Sequence, residues 1–265
     1  MLDALDLKLP PKALEALKRR RECKSASDCR VEMANSVKGA LGGYDCPICL
    51  NRGYSFYLDN EGHMVSKECS CMAVRKSRKM IEKSGLMSML TEFTFSSWIA
   101  EDQWQKDGGN AAWLFARKPH GWFFCCGSPG TGKTHLCTAI CNELMQKGIP
   151  VRYMLWRDES TKAKSVITEN AEYQSIVEPL KRIKVLYIDD LFKTKKGVDP
   201  SPGDVNLAFE ILNARYNDKG KITIISTECT LSDLLRIDEA LGSRIQQSSK
   251  GQSLDFTGRP NYRLR

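Results

Sequence analysis

Residues 127–134 constrain this chain more than any other stretch, because Gly127-Ser128-Pro129-Gly130-Thr131-Gly132-Lys133-Thr134 fits Gly, four residues, then Gly-Lys-Thr. Glycines at these positions let successive backbone N–H groups turn toward one point and form an anion-binding concavity. A helix starting near Gly132 adds its dipole and its unpaired N–H donors. Lys133 supplies a point charge to the β- and γ-phosphates, and the Thr134 hydroxyl ligates magnesium. His135 completes the candidate nucleotide-binding stretch, Gly127 to His135. The flanks agree with this reading. Trp122-Phe123-Phe124-Cys125-Cys126 is a short apolar strand candidate. Leu136, Ile140 and Leu144 follow at helical spacing, with Cys137 and Cys141 on an adjoining stripe. A glycine turn arising by chance would lack both.

Strand-like and helix-like patterns alternate from Trp122 onward, which predicts an α/β fold with a parallel sheet. Lys147-Gly148 with Pro150 beyond stops the first helix. Val151–Leu155 reads as a second strand, and residues 158–181 are polar and mostly helical in pattern. Val185–Ile188 is a buried strand candidate ending in Asp189-Asp190. Pro200–Asp204 introduces a helix with Val205, Ala208, Ile211 and Leu212 inward, and Ile222–Ile225 makes a fourth strand. Asp189 emerges at the C-terminal end of its strand, where ligands of open α/β sheets gather. A carboxylate there holds magnesium through its water shell. Asp190 either polarises an attacking water or caps the following loop.

Eleven cysteines are many for a chain expected in the cytoplasm, where disulfides rarely persist. Cys125, Cys126, Cys137, Cys141 and Cys229 lie in apolar segments and read as small buried hydrophobes; Cys23 and Cys29 have no assignment. Cys46-Pro47-Ile48-Cys49 and Cys69-Ser70-Cys71 form two thiol pairs in polar sequence, suited to tetrahedral zinc. His63 is a reserve ligand, and reduced cysteines without metal are the alternative. Tyr54–Tyr57 and Met64-Val65 are hairpin candidates with Asp59-Asn60-Glu61-Gly62 at the turn. Four zones result. Residues 1–40 contain a helix after Pro10-Pro11, 44–72 a cysteine unit, 73–118 a helical, aromatic-bearing linker, and 119–265 the α/β domain. No apolar run is long enough to cross a bilayer, and 1–24 lacks the apolar stretch of a secretory signal.

At this point the sequence resembles the DnaC/DnaI-type replicative helicase loaders, AAA+ ATPases with phage and mobile-element relatives. The resemblance covers about residues 44–265. It rests on Cys-Pro-Ile-Cys at 46–49, the glycine-rich stretch, and Tyr-Ile-Asp-Asp-Leu-Phe at 187–192. Ile-Leu-Asn-Ala-Arg-Tyr at 211–216, Ile-Ile-Ser-Thr at 224–227 and Leu-Gly-Ser-Arg-Ile at 241–245 add to it. It implies an AAA+ core with parallel five-stranded sheet order 5-1-4-3-2, preceded by a small zinc-binding domain. It implies ATP, Mg2+ and Zn2+ as cofactors. It further implies self-association through the ATPase domain, with Arg244 acting in trans on a neighbour's γ-phosphate, and docking of residues 1–72 on a hexameric replicative helicase. Two positions depart from the family pattern. Glu228 stands where a polar sensor is usual, which leaves Ser226 or Thr227 to serve the water or makes hydrolysis slow. The tail from Gly258 to Arg263 offers no sensor-2 helix.

The formal net charge of +8 favours a polyanionic partner. Clusters lie at Lys18–Arg21, Arg75–Lys79 and Lys193–Lys196. Lys193, Lys195 and Lys196, with Lys162 and Lys164, are candidate contacts for single-stranded DNA. The expected function is ATP-dependent loading of a replicative helicase onto single-stranded DNA, with slow, DNA-stimulated hydrolysis. The alternatives are an IstB-like transposition ATPase and a zinc-bearing DNA-binding scaffold that holds ATP without turnover.

Overall fold

A computed structural model describes residues 25–83, 87–195 and 198–264. The helix expected after Pro10-Pro11, the basic run Lys18–Arg21, Cys23 and Lys196 lie outside the described residues. The chain divides into two compact units, one ending at Arg75 and one beginning at Lys76.

In the first unit, Ser25 caps helix α1 (Ala26–Ser36) by accepting a hydrogen bond from Asp28 N at 3.0 Å. Strands β1 (Tyr54–Leu58) and β2 (Met64–Glu68) form the expected antiparallel hairpin, with Tyr54 opposite Glu68 and Leu58 opposite Met64. Its turn is built locally. Asp59 Oδ1 accepts from Glu61 N at 3.0 Å and His63 N at 2.8 Å. Asn35 ties α1 to the hairpin, donating to Phe56 O at 2.8 Å and accepting from Phe56 N at 2.9 Å. Neither α1 nor β2 buries a side chain completely. The centre of this unit is the cysteines.

The second unit is built on a parallel sheet. Helices α2 (Cys71–Lys83), which begins in the first unit, α3 (Met87–Glu92) and α4 (Gln103–Arg117) come first. Then follow β3 (Trp122–Gly127), α5 (Lys133–Gln146), β4 (Val151–Leu155), α6 (Trp156–Ser165) and α7 (Asn170–Arg182). The remainder is β5 (Val185–Leu191), α8 (Pro202–Asn217), β6 (Ile222–Thr227), α9 (Leu231–Ile237), α10 (Glu239–Ser248) and β7 (Ser253–Phe256), with a 3-10 turn at Tyr262–Leu264. The sheet order is β4-β5-β6-β3-β7 with every pair parallel. Counted within this sheet, that is 5-1-4-3-2, the order the resemblance implies. Helices cover a parallel sheet on both faces, so its central strands are buried along their length; every residue of β3 and β6 is buried, Thr223, Ser226 and Thr227 included. Cys125, Cys126, Cys137 and Cys141 are buried among these apolar groups, while Cys229 is half-buried.

Arg215, in the Asn-Ala-Arg-Tyr stretch of α8, is 1% exposed. Its guanidinium donates to Thr223 Oγ1, Leu180 O and Ile183 O, each at 2.9 Å, and to Ile222 O at 2.6 Å. These bonds join the end of α7 to the starts of β5 and β6, a structural role in which several carbonyls share one cation. Burial pushes its pKa down to about 10. β5 runs beyond the expected Val185–Ile188 to Leu191, with a register shift between Ile188 and Leu191 against β6. Asp190 (φ 56°) and Phe192 (φ 59°) then adopt left-handed backbone around this irregularity, which turns the chain at the sheet's C-terminal edge. Among the described residues no helix is long and apolar enough to cross a membrane.

Candidate functional site

The phosphate-loop sequence forms a loop between β3 and α5, at the C-terminal edge of the sheet. Gly132 (φ 90°) is the N-cap of α5, and a β-carbon there would lie 2.5 Å from Trp98 Cζ3. Gly130 (φ 71°) is covered by Asn261, whose Oδ1 occupies the place of a β-carbon. Pro129 through His135 line a cleft of about 230 Å³. Gly127 and Ser128 stand behind it. Ser128 Oγ accepts from Gly258 N at 3.0 Å, and Thr131 Oγ1 donates to Ser128 O at 2.9 Å. Lys133 is buried and donates to Gly127 O at 2.9 Å and Ser128 O at 2.8 Å. Burial lowers its pKa; Cys125, Glu228 and Asp190 oppose that shift, and Lys193 adds to it. An ammonium held on two backbone carbonyls can transfer to a phosphate at small cost, because the carbonyls are weaker acceptors than an anion.

Asp189 is 4% exposed, and hydroxyl groups surround it. Thr134 Oγ1 donates to Oδ1 at 3.1 Å, Tyr187 to Oδ1 at 2.8 Å, and Tyr153 to Oδ2 at 2.8 Å. Ser226 Oγ also donates to Oδ1. Burial, then the Asp189 charge, raises both tyrosine pKa values, so both remain donors. Thr134 and Asp189 thus meet in space, the pair a divalent cation beside a triphosphate requires.

The opposite wall is Asp190, Lys193 and Glu228, which line the same cleft. Lys193 Nζ lies 2.8 Å from Asp190 Oδ2 and 3.2 Å from Glu228 Oε1. Glu228 does face the cleft, and Lys193 neutralises it. Ser226 and Thr227 do not replace it as polar groups over a phosphate. Both are buried, with Ser226 on Asp189 and Thr227 donating to Leu191 O at 2.6 Å.

Residues from the stretch read as a linker complete the cleft: Phe93, Trp98, Ile99 and Gln105. Trp98 Nε1 donates to Gln105 O at 3.0 Å, and His135 packs between Phe93 and Trp98 with ring centroids at 5.0 and 5.2 Å. His135 Nε2–H donates to Thr94 O at 2.8 Å; burial lowers the His135 pKa, against the pull of that carbonyl. Spacing alone gave no sign that these residues belong to the site. Their aromatic content was the one available signal. The tail contributes as well, without a helix of sensor-2 length. Tyr262 N donates to Gly130 O at 2.9 Å, and Arg263 lines the cleft.

Other expected site residues lie elsewhere. Arg244 lies outside this cleft; its guanidinium packs over Phe209 (5.0 Å) and Tyr216 (5.6 Å) and donates to Ala240 O at 2.6 Å. Lys162 pairs with Glu159 at 3.4 Å and Lys164 with Asp204 at 2.6 Å. Lys195 is exposed in the loop after β5.

The second candidate site is in the first unit. Cys46, Cys49, Cys69 and Cys71 are buried with all four Sγ atoms within 4.8 Å of one another. Cys46 and Cys69 are 3.7 Å apart, and Cys49 and Cys71 3.5 Å. Tetrahedral zinc with Zn–S bonds of about 2.3 Å needs sulfurs roughly 3.8 Å apart, so the thiols fit this metal. Left-handed Leu50 (φ 49°) and Asn51 (φ 68°) form the knuckle turn, which aims Gly53 N at Cys49 Sγ, 3.3 Å away. Asn51 Oδ1 accepts from Cys46 N at 2.8 Å and from Arg75 at 2.9 Å, and Arg75 also donates to Tyr44 O at 2.7 Å. Such partners fix the ligands around a metal. His63 is not needed as a ligand. It is exposed on the hairpin turn, 3.7 Å from Asp59 and 3.5 Å from Glu61.

A family model described as IstB-like ATP binding protein matches residues 52–244. The chain belongs to this family. Within reach of this IstB-like chain is the phage-like element PBSX protein XkdC of Bacillus subtilis (strain 168), 33% identical over 216 residues, covering 77% of this chain and 79% of that protein. The replicative helicase loader DnaC of Escherichia coli (strain K12) is 26% identical over 185 residues, covering 68% of this chain and 72% of that protein. Among solved structures, a crystal structure of the DnaC helicase loader superposes with a TM-score of 0.54 at 23% identity. It covers 63% of this chain and 97% of that one, and shows that the two share a fold. The resemblance drawn from the motifs is borne out at the level of the family: an AAA+ ATP-binding protein.

Proposed function

We propose that this IstB-like protein is an ATP-dependent loader of a replicative DNA helicase onto single-stranded DNA. Binding of Mg·ATP is the switch, and hydrolysis is slow. The observation that carries the reading is that Lys133 and Thr134 line one cleft, with Asp189 buried directly behind Thr134 and bonded to it, in a chain similar to a replicative helicase loader over most of its length. In this reading the loop amides and Lys133 hold the phosphates, and Thr134 with Asp189 holds the magnesium. Asp190 orients the attacking water, and Trp98 with Phe93 flanks the base. Arg244, whose aromatic packing leaves it outside its own cleft, serves the site of a neighbouring copy. Zinc on Cys46, Cys49, Cys69 and Cys71 organises the unit that meets the helicase. Lys162 and Lys164 face the DNA after exchanging their present acidic partners, together with Lys195 and its neighbour in sequence, Lys196.

The identifying experiment is co-purification with a hexameric replicative helicase, together with ATP turnover measured with and without single-stranded DNA. Replacing Lys133 with alanine should lower ATP affinity by about a hundredfold or more, since a buried ammonium bonded to phosphate is lost. Turnover by the wild-type chain with no helicase captured would instead favour the transposition ATPase. Nucleotide retained without turnover in any condition would favour the scaffold.

A further inference from the structure

The wall opposite the phosphate loop holds a cation that the motifs do not explain. Lys193 is 44% exposed at its side chain and is gripped by Asp190 and Glu228, all three lining the cleft with Lys133. Its backbone is fixed from behind. Phe192 is buried against Trp156, ring centroids 5.5 Å apart, and Lys193 N donates to Asp190 O at 3.0 Å to close the turn. A bulky residue such as Phe192 in left-handed backbone is sterically strained. A partly exposed ion pair, screened by solvent, returns little of that cost. The ion pairs alone therefore do not account for the strained turn that aims Lys193 into the cleft. Glu228 raises the same question from the other side, since a bare carboxylate beside a triphosphate is repelled.

We propose that Lys193 is a second phosphate-binding cation, supplied by the same chain, that reads the terminal phosphate of a nucleoside triphosphate, with Glu228 as the carboxylate that holds it when that phosphate is absent. This rests on the nucleotide reading of the cleft. Both ammonium groups of the cleft are held on local acceptors: Lys133 on the carbonyls of Gly127 and Ser128, Lys193 on two carboxylates. A terminal phosphate competes with Glu228 for Lys193. A diphosphate lacks the competing oxygens and leaves the bridge intact. The pair thus does the work of a polar sensor, with a charge in place of a neutral amide.

The test is equilibrium binding of Mg·AMP-PNP and Mg·ADP to the full chain, comparing wild type, Lys193→Met, Glu228→Gln and the double variant. Thermal melting checks that each is folded. Lys193→Met should weaken AMP-PNP about tenfold or more, the size of one charge-assisted hydrogen bond, with ADP changed less than about twofold. Glu228→Gln should tighten AMP-PNP by about threefold, because the ammonium is released from a competitor. The double variant should stay as weak as Lys193→Met. Equal loss for both nucleotides overturns the inference. So does recovery in the double variant, which would mean that Lys193 only screens Glu228. If wild type retains neither nucleotide, the nucleotide reading falls and this inference with it; if wild type retains both and Lys193→Met discriminates as before, this inference alone falls.

Discussion

The unit ending at Arg75 gathers four thiols at its centre, whereas the unit from Lys76 onward gathers Trp122, Phe124, Leu186, Ile188 and Ile225 around a parallel sheet. Among its described residues the first has a pair of five-residue strands and a helix, Ala26–Ser36, that buries no side chain completely. Burial of this size cannot offset chain entropy, which is why small units recruit metals. The second owes its fold to apolar area and can afford a strained turn and a cleft lined with charge. With a metal on the four thiols, the stability of the first region would be a ligand-binding equilibrium, whereas that of the second is packing.

That contrast breaks most sharply when metal is removed. A strong chelator, or Cys49→Ser, should unfold the first unit, since structural zinc contributes about 10–16 kcal/mol of apparent folding free energy at neutral pH. Hydrogen exchange read peptide by peptide should show residues 44–72 losing protection while β3, β5 and β6 keep theirs. Loss of protection in both regions together would mean that the two units do not fold separately. Metal content measured on the purified chain checks the premise.

The reciprocal change is a core truncation in the second unit. Leu186 is fully buried in β5, so Leu186→Ala should cost about 2–5 kcal/mol through lost burial and a residual cavity. Calorimetry should show the melting transition of the sheet moving down while bound zinc stays stoichiometric. Zinc released at the lower transition would contradict the separation.

What was legible in the sequence follows the same division between local and non-local determinants. The phosphate loop, the CxxC knuckle, the hairpin turn and four of the five sheet strands are local patterns; of those strands β3, β4 and β6 match within two residues, while β5 runs three residues past its expected end. β7 was missed because Ser253–Phe256 is four residues long, with Leu254 and Phe256 as its apolar positions; what makes it a strand is pairing with β3, from Phe124–Ser253 to Gly127–Phe256. Trp98 and Gln105 were missed as cleft residues because nothing in their spacing says that they fold back over Gly132. Lys193 was grouped with Lys195 and Lys196 as a basic run. The left-handed backbone at Asp190 and Phe192 turns Lys193 toward the cleft, which Lys195 does not line, and neither residue type announces that conformation. Charge runs report composition; the turn decides which face each charge serves.

The smallest effect expected comes from the hydroxyl groups around Asp189, inside the second unit. Tyr187→Phe deletes one buried donor to Oδ1 while Thr134, Tyr153 and Ser226 still reach the carboxylate. A hydrogen bond to a charged acceptor contributes about 1.5–3 kcal/mol, and the remaining donors should keep the loss at or below the lower end. The melting temperature of the second unit should therefore fall by less than in Leu186→Ala, with zinc untouched. Magnesium should respond in the opposite direction. A carboxylate with fewer hydroxyl donors is a stronger ligand for a hard cation, so the concentration of Mg2+ that half-saturates nucleotide binding should drop. A rise in that concentration would mean that Tyr187 orients Asp189 toward the cation rather than competing with it, and the hydroxyl cluster would then belong to the site rather than to the core.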